Sequence, residues 1–130
     1  MASQRFAPSA DRLGLYCVEI RTADWEKSVR WYRETLGLKV LVRVTDDGYA
    51  LLEMGTARLA LIARDAPGAA SPRFSLGLEV ENLDAVFERL LAAGGDVTPP
   101  KGHEEGFREI LTTDPDGNQI RLFTWPSRAG

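Results

Sequence analysis

Apolar and polar residues change period several times along this chain, and each change marks an element. Leu15 to Arg21 is a short, apolar-rich stretch with the character of a strand. Thr22 or Asp24 then stands where a side chain can cap a helix by accepting from its free N–H groups. Trp25, Val29, Tyr32 and Leu36 follow at helical spacing, with Glu26, Lys27, Arg30, Arg33 and Glu34 on the opposite side, which predicts an amphipathic helix with one buried face. Gly37 is placed to end that helix in the left-handed conformation that glycine adopts without strain. Three strands are expected next, near Lys39 to Val44, Tyr49 to Met54 and Arg58 to Ala63, with Asp46-Asp47-Gly48 and Gly55-Thr56 as turns.

Residues 65 to 72 hold two prolines, Gly68 and three alanines and keep neither period, so they read as a connector. After it the first pattern returns. Phe74 to Val80 reads as a strand, Asn82 as a helix cap, and Leu83, Val86, Phe87 and Leu90 as an apolar helix face that ends at Gly94-Gly95. Strands near Asp96 to Thr98, Phe107 to Thr112 and Gln119 to Thr124 complete the second set. Asn82 lies 58 residues after Asp24, and the same offset lays Cys17 on Ser75 and Arg21 on Glu79. Neither half is long enough to bury a convincing core alone, so the two repeats are expected to pack on each other.

The predicted architecture is α+β: two βαβββ repeats, 13–64 and 73–126, forming a curved mixed sheet of eight strands around a groove, with residues 1–12 as a flexible N-terminal arm. At 130 residues the chain is the size of one domain. Hydrophobic residues at 44% and charged residues at 27% place it among globular chains and exclude a disordered one. A net charge of −3 without a Lys/Arg run gives no footprint for nucleic acid or an anionic membrane. No apolar run is long enough to span a bilayer, and MASQRFAPSADR lacks the apolar stretch of a secretory signal. With Cys17 the only cysteine, a cytoplasmic location is the expectation.

Three stretches carry a resemblance. VEIRTADWEKSVRWYRETLGLKV, LGLEVENLDAVFERLLAAGGDV and TTDPDGNQIRLF stand in the order and separation of the two opening units and the closing hairpin of the vicinal oxygen chelate superfamily, which includes glyoxalase I, extradiol dioxygenases and bleomycin-resistance proteins. Alone, each has a structural explanation: Asp114-Pro115-Asp116-Gly117-Asn118 is good turn chemistry in any hairpin, for example. The resemblance implies a groove into which four side chains project from the first and last strand of each repeat, holding a divalent cation in the metal-dependent members. Carried over by the repeat alignment, those positions are Cys17, Ala60, Ser75 and Arg121. Alanine offers no donor atom, arginine stays protonated without a lone pair, and a lone thiol is a poor anchor for a hard cation, so no metal and no cofactor are expected.

Strand alternation puts Cys17, Glu19 and Arg21 on one face, and Ser75, Gly77 and Glu79 on another. In the register of the resemblance these faces look into the groove together with Ala60, Gln119, Arg121 and Phe123. Glu19 and Arg121 either pair with each other and fill the space or meet a guest, Arg121 taking an anionic or carbonyl group. Small residues at Ala60 and Gly77 leave room, and Trp25, Trp31, Tyr49, Phe107 and Trp125 supply aromatic surface. His103, the only histidine, lies in a loop and is a candidate proton carrier.

Three readings follow. The first is a metal-free protein of the bleomycin-resistance type that sequesters or carries an organic, antibiotic-like aromatic guest in a groove completed by a homodimer partner, with Cys17, Tyr49, Ala60, Ser75, Gly77 and Phe123 as contacts. The second is a metal-independent isomerase, lyase or cyclase in which Glu19 or His103 is the base and Arg121 stabilises an oxyanion. A metal-dependent lyase or dioxygenase would require other ligands, such as Glu19 with Glu79 or Glu109.

Overall fold

The computed structural model describes residues 13–126; the expected arm over 1–12 lies outside them. The first half runs β1 (Val18–Thr22), α1 (Trp25–Arg30), a π-helical turn (Trp31–Thr35), β2 (Lys39–Val44), β3 (Tyr49–Met54) and β4 (Ala57–Ala63). The second runs β5 (Ser75–Glu79), α2 (Leu83–Ala92), β6 (Lys101–Gly102), β7 (Arg108–Thr113) and β8 (Gln119–Thr124). This is the βαβββ order twice. The strands form two four-stranded sheets, ordered β1-β4-β3-β2 and β5-β8-β7-β6, rather than one continuous eight-stranded sheet. In each, the opening strand runs parallel to the closing strand and the other pairings are antiparallel.

Local sequence accounts for the element ends. Asp24, not Thr22, caps α1, accepting from Lys27 N at 3.2 Å, while Thr22 is fully buried at the end of β1. Asn82 caps α2 in the same way, accepting from Ala85 N at 3.0 Å. The expected helix to Leu36 is α-helical only to Arg30. From Trp31 its turn widens, with Leu36 N donating to Trp31 O at 3.2 Å, a five-residue closure of the kind that re-aims side chains. The strand expected at Asp96 to Thr98 is reduced to a bridge between Val97 and Thr112. Pro99 and Pro100 interrupt the edge because proline has no N–H to donate, and pairing resumes only at β6.

Alternation gives each sheet one inward face. Val29, Tyr32, Leu52, Leu59 and Leu61 of the first half and Leu83, Leu90, Ile110, Ile120 and Leu122 of the second join in one buried cluster. Among the described residues two polar ties cross between the halves. The Tyr32 hydroxyl donates to Asp114 Oδ2 at 2.6 Å. Arg89 on α2 donates to the carbonyls of Thr35 and Leu36 at 3.1 and 3.4 Å, satisfying acceptors that the helix end leaves free. No helix among the described residues is long and apolar enough to cross a membrane.

Candidate ligand-binding site

The outward faces of the two sheets hold the residues singled out by sequence. On the first sheet, Glu19 lies across from Ala60, which lies across from Leu51; Arg21 lies across from Ile62, which lies across from Tyr49. Cys17 immediately precedes β1. On the second sheet, Ser75 lies across from Gln119, Gly77 from Arg121 and Glu79 from Phe123. Thus Glu19 faces Ala60 and Gly77 faces Arg121, two residues on from Cys17 and Ser75 in each repeat.

The expected pair between Glu19 and Arg121 does not form. Glu19 approaches Arg21, its neighbour on the same strand face, at 3.5 Å. Arg121 Nη1 donates instead to Glu109 Oε1 at 3.2 Å, its diagonal neighbour on the same sheet face, since Leu111 lies across from Arg121 and Glu109 across from Phe123. The other oxygen of Glu109, Oε2, lies 2.9 Å from His103 Nε2. An ionised carboxylate only accepts, so Nε2 carries the proton of this bond. The second sheet therefore holds a His103, Glu109, Arg121 chain in which the carboxylate is shared by both partners and only 16% exposed. Glu19 stands apart from it, on the other sheet. The carboxylates Glu19, Glu79 and Glu109 do not converge: among the described residues no three His, Cys, Asp or Glu side chains are grouped to hold a metal ion.

Glu109 joins this chain with His103 and Arg121 although the sequence offers it only as an alternative metal ligand. Its period-two relation to Leu111 is the signal that could have placed it on this face, but the loop that brings His103 onto its second oxygen has no period to read. That loop is a tight turn, with His103 N donating to Phe107 O and Gly106 N to His103 O, each at 2.9 Å. It stacks the His103 ring on Phe107, centroids 4.3 Å apart and planes 16° from parallel. Phe107 in turn meets Trp125 at 5.0 Å and the edge of Phe123 at 6.4 Å, and the Arg121 guanidinium lies 5.3 Å from the Phe123 ring. Two of the five aromatics considered as wall, Phe107 and Trp125, thus belong to this cluster. Trp25 is core, donating its indole N–H to Leu61 O at 3.0 Å; Trp31 packs edge-on against Tyr32 at 4.9 Å; and Tyr49 lies on the first sheet.

Among the described residues three open clefts adjoin this set, of which one of about 690 Å³ is lined by Gly77 and Glu79 with Leu36, Met54, Arg89 and Leu122. A second of about 540 Å³ is lined by Ser75, Thr98, Leu111, Gln119 and Arg121 on the outward face of the second sheet. The third, of about 660 Å³, lies between β1, the start of β5 and the connector, lined by Glu19, Arg21, Gly68, Phe74, Ser75 and Gln119 among others. Ser75 and Gln119 line the last two, so Glu19 and Arg121 stand on adjoining clefts without touching.

Cys17 lies beside Glu19 and Arg58. Burial and then the Glu19 charge push its thiol above the ordinary range, while Arg58 draws it down. Because the thiolate is the reactive form, Cys17 is expected to alkylate with iodoacetamide more slowly at pH 8 than an unhindered thiol, and Glu19→Gln to speed the reaction. As the chain's only cysteine, it makes mass spectrometry of the adduct unambiguous. A rate equal to that of a free thiol, unaffected by Glu19→Gln, would contradict this environment.

The profile of the family described as the Glyoxalase/Bleomycin resistance protein/Dioxygenase superfamily matches residues 14–122. The uncharacterized protein YraH of Bacillus subtilis (strain 168) is 26% identical over 120 residues, covering 82% of this chain and 94% of that one. The crystal structure of a glyoxalase/bleomycin resistance protein/dioxygenase from Nocardioides superposes with a TM-score of 0.68 at 24% identity, covering 94% of this chain and 93% of its own. TioX from Micromonospora sp. ML1 superposes with a TM-score of 0.72 at 23% identity, covering 87% and 99%. At these identities the structural likenesses speak to fold.

Proposed function

This chain belongs to the Glyoxalase/Bleomycin resistance protein/Dioxygenase superfamily, and from that premise we propose that it is a metal-free binding protein that sequesters or carries an organic, aromatic small molecule on the outward face of its second sheet. The observation that carries this reading is the fate of Arg121. At a position where metal-dependent members hold a ligand, this chain has a guanidinium engaged with Glu109 and Phe123. The companion positions, Cys17, Ala60 and Ser75, offer one thiol, no donor and one hydroxyl. Such a set does not suit a divalent cation, since alanine coordinates nothing and a fixed positive charge repels the ion.

Exposed apolar surface supports a groove closed by a second copy. Val42 and Val44 on β2, Leu111 on β7 and Trp125 after β8 are 39–48% exposed, and the first three lie on the outward faces by alternation. Covering them in a homodimer would remove apolar area from water and wall off the clefts.

The test is a titration followed by intrinsic tryptophan fluorescence, using a panel of planar polycyclic compounds in the presence of EDTA. Trp125 stands in the aromatic cluster, so saturable quenching unaffected by EDTA is the expected result. Arg121→Ala should weaken that response about tenfold through loss of a charge-assisted contact. Indifference to the whole panel, or binding that appears only on adding Mn²⁺, Ni²⁺ or Fe²⁺, would sink the reading.

A further inference from the structure

The polar groups around Arg121 have unequal remaining capacity, and that inequality defines a ligand class. Glu109 has one oxygen on Arg121 and the other on His103, at 3.2 and 2.9 Å, and is mostly buried. A carboxylate held on both oxygens and only 16% exposed presents little of its remaining lone-pair capacity to a guest. Arg121 is in the opposite state. Only Nη1 is engaged with another side chain among the described residues, and the guanidinium carries five N–H donors, leaving those on Nη2 and Nε free. The Arg121 side chain is 45% exposed, so these donors are open to a solute.

Gly77 lies beside them. A Cβ built on it would stand 4.0 Å from Arg121 Nη2 and 3.9 Å from Phe123 Cε1. These are ordinary van der Waals distances, so any longer side chain at residue 77 would fill the space in front of both. Glycine keeps that space vacant, and its backbone is not in the left-handed region, so conformational need does not account for its presence. The vacancy has a guanidinium edge on one side and a ring edge on the other, continuing to Phe107 and Trp125.

Other charges on this face fix the direction of approach. Glu79 lies across from Phe123 and Lys101 across from Glu109. An acidic group at the Phe123 end would meet Glu79, whereas one over Gly77 meets Arg121.

We infer that the site selects flat aromatic molecules bearing an anionic oxygen group, the acid lying over Gly77 on Arg121 and the ring against Phe123 and its aromatic neighbours. This inference rests on the binding reading above and narrows its ligand class. Planar oxyanions take two parallel N–H bonds from guanidinium, and pairing strengthens both bonds relative to a neutral oxygen.

The test compares three probes with one ring system, 2-naphthoate, 2-naphthylmethanol and 2-naphthylmethylamine, by isothermal titration calorimetry on the full chain at pH 7.5 and low ionic strength. Naphthoate should bind about tenfold or more tighter than the alcohol, with the amine weakest. Arg121→Gln should erase the preference for naphthoate and Arg121→Lys should restore part of it, which separates loss of the cation from loss of fold. Gly77→Val, which changes no charge, should abolish binding of all three while leaving the circular dichroism melting curve in place. Equal affinity for acid and alcohol, or preference for the amine, overturns this inference while the binding reading stands. Failure of all three probes to bind overturns both.

Discussion

Replacing Asp114 with alanine is expected to lower the unfolding free energy by about 3 kcal/mol or more, the largest effect of any single polar substitution in this fold. Asp114 is 4% exposed and accepts four hydrogen bonds. Asp116 N and Asn118 N donate to Oδ1 at 2.9 and 2.8 Å, and Asn118 Nδ2 and the Tyr32 hydroxyl donate to Oδ2 at 2.9 and 2.6 Å. Burial, and then the Asp114 charge, push the Tyr32 hydroxyl far above its ordinary titration range, so it stays a donor at any working pH. Alanine would leave that hydroxyl without its acceptor inside the core and release the hairpin turn whose amides Asp114 holds. Tyr32→Phe removes one of four donors and should cost less, about 1–2 kcal/mol. Urea unfolding of both single variants and the double variant measures the coupling, which should reach about 1 kcal/mol because the two groups touch. Additive effects, or a loss under about 1 kcal/mol for Asp114→Ala, would show that this tie does not hold the halves together.

The second large effect is expected at Gly48. Its φ is +61°, and a Cβ there would lie 2.5 Å from the Cβ of Ala63. Ala63 cannot yield easily, since its N–H donates to Gly48 O at 2.8 Å and fixes the two backbones together. Gly48→Ala therefore combines left-handed strain with a steric clash, and should cost about 2–4 kcal/mol. Gly55 supplies the control. Its φ is +63°, but nothing lies within 4 Å of an added Cβ, so Gly55→Ala should cost only about 1 kcal/mol, the strain alone. Similar melting temperatures for the two variants would remove the contact with Ala63 as the cause.

Both predictions mark a limit on what could be read along the chain. Asp46-Asp47-Gly48 and Gly55-Thr56 look alike as turn sequences, and both glycines take positive φ. Only the neighbour supplied by β4 distinguishes them. The Asp114 turn was legible for the same local reason, because aspartate, glycine and asparagine satisfy a hairpin's own backbone. Its partner Tyr32, 82 residues away, lies outside any local pattern.

The candidate site divides in the same way. Alternation put Gly77, Arg121 and Phe123 on facing or adjacent strand positions, since a strand's side chains reverse with every residue. It did not decide which carboxylate Arg121 would take. Glu19 was the nearer choice in a single closed sheet, but the strands separate into two sheets, and Glu109 is the neighbour that pairing across β7 and β8 supplies.

Hydrophobic period, caps and turn residues by themselves determined the two βαβββ repeats and the buried faces of both helices, because each of these depends on residues within one or two turns of chain. The widened turn at Trp31, the broken edge after Thr98, the His103, Glu109, Arg121 chain and the Tyr32 to Asp114 tie were decided only by tertiary structure. They depend on which surfaces meet once two incomplete cores close on each other, and that meeting joins residues far apart in sequence.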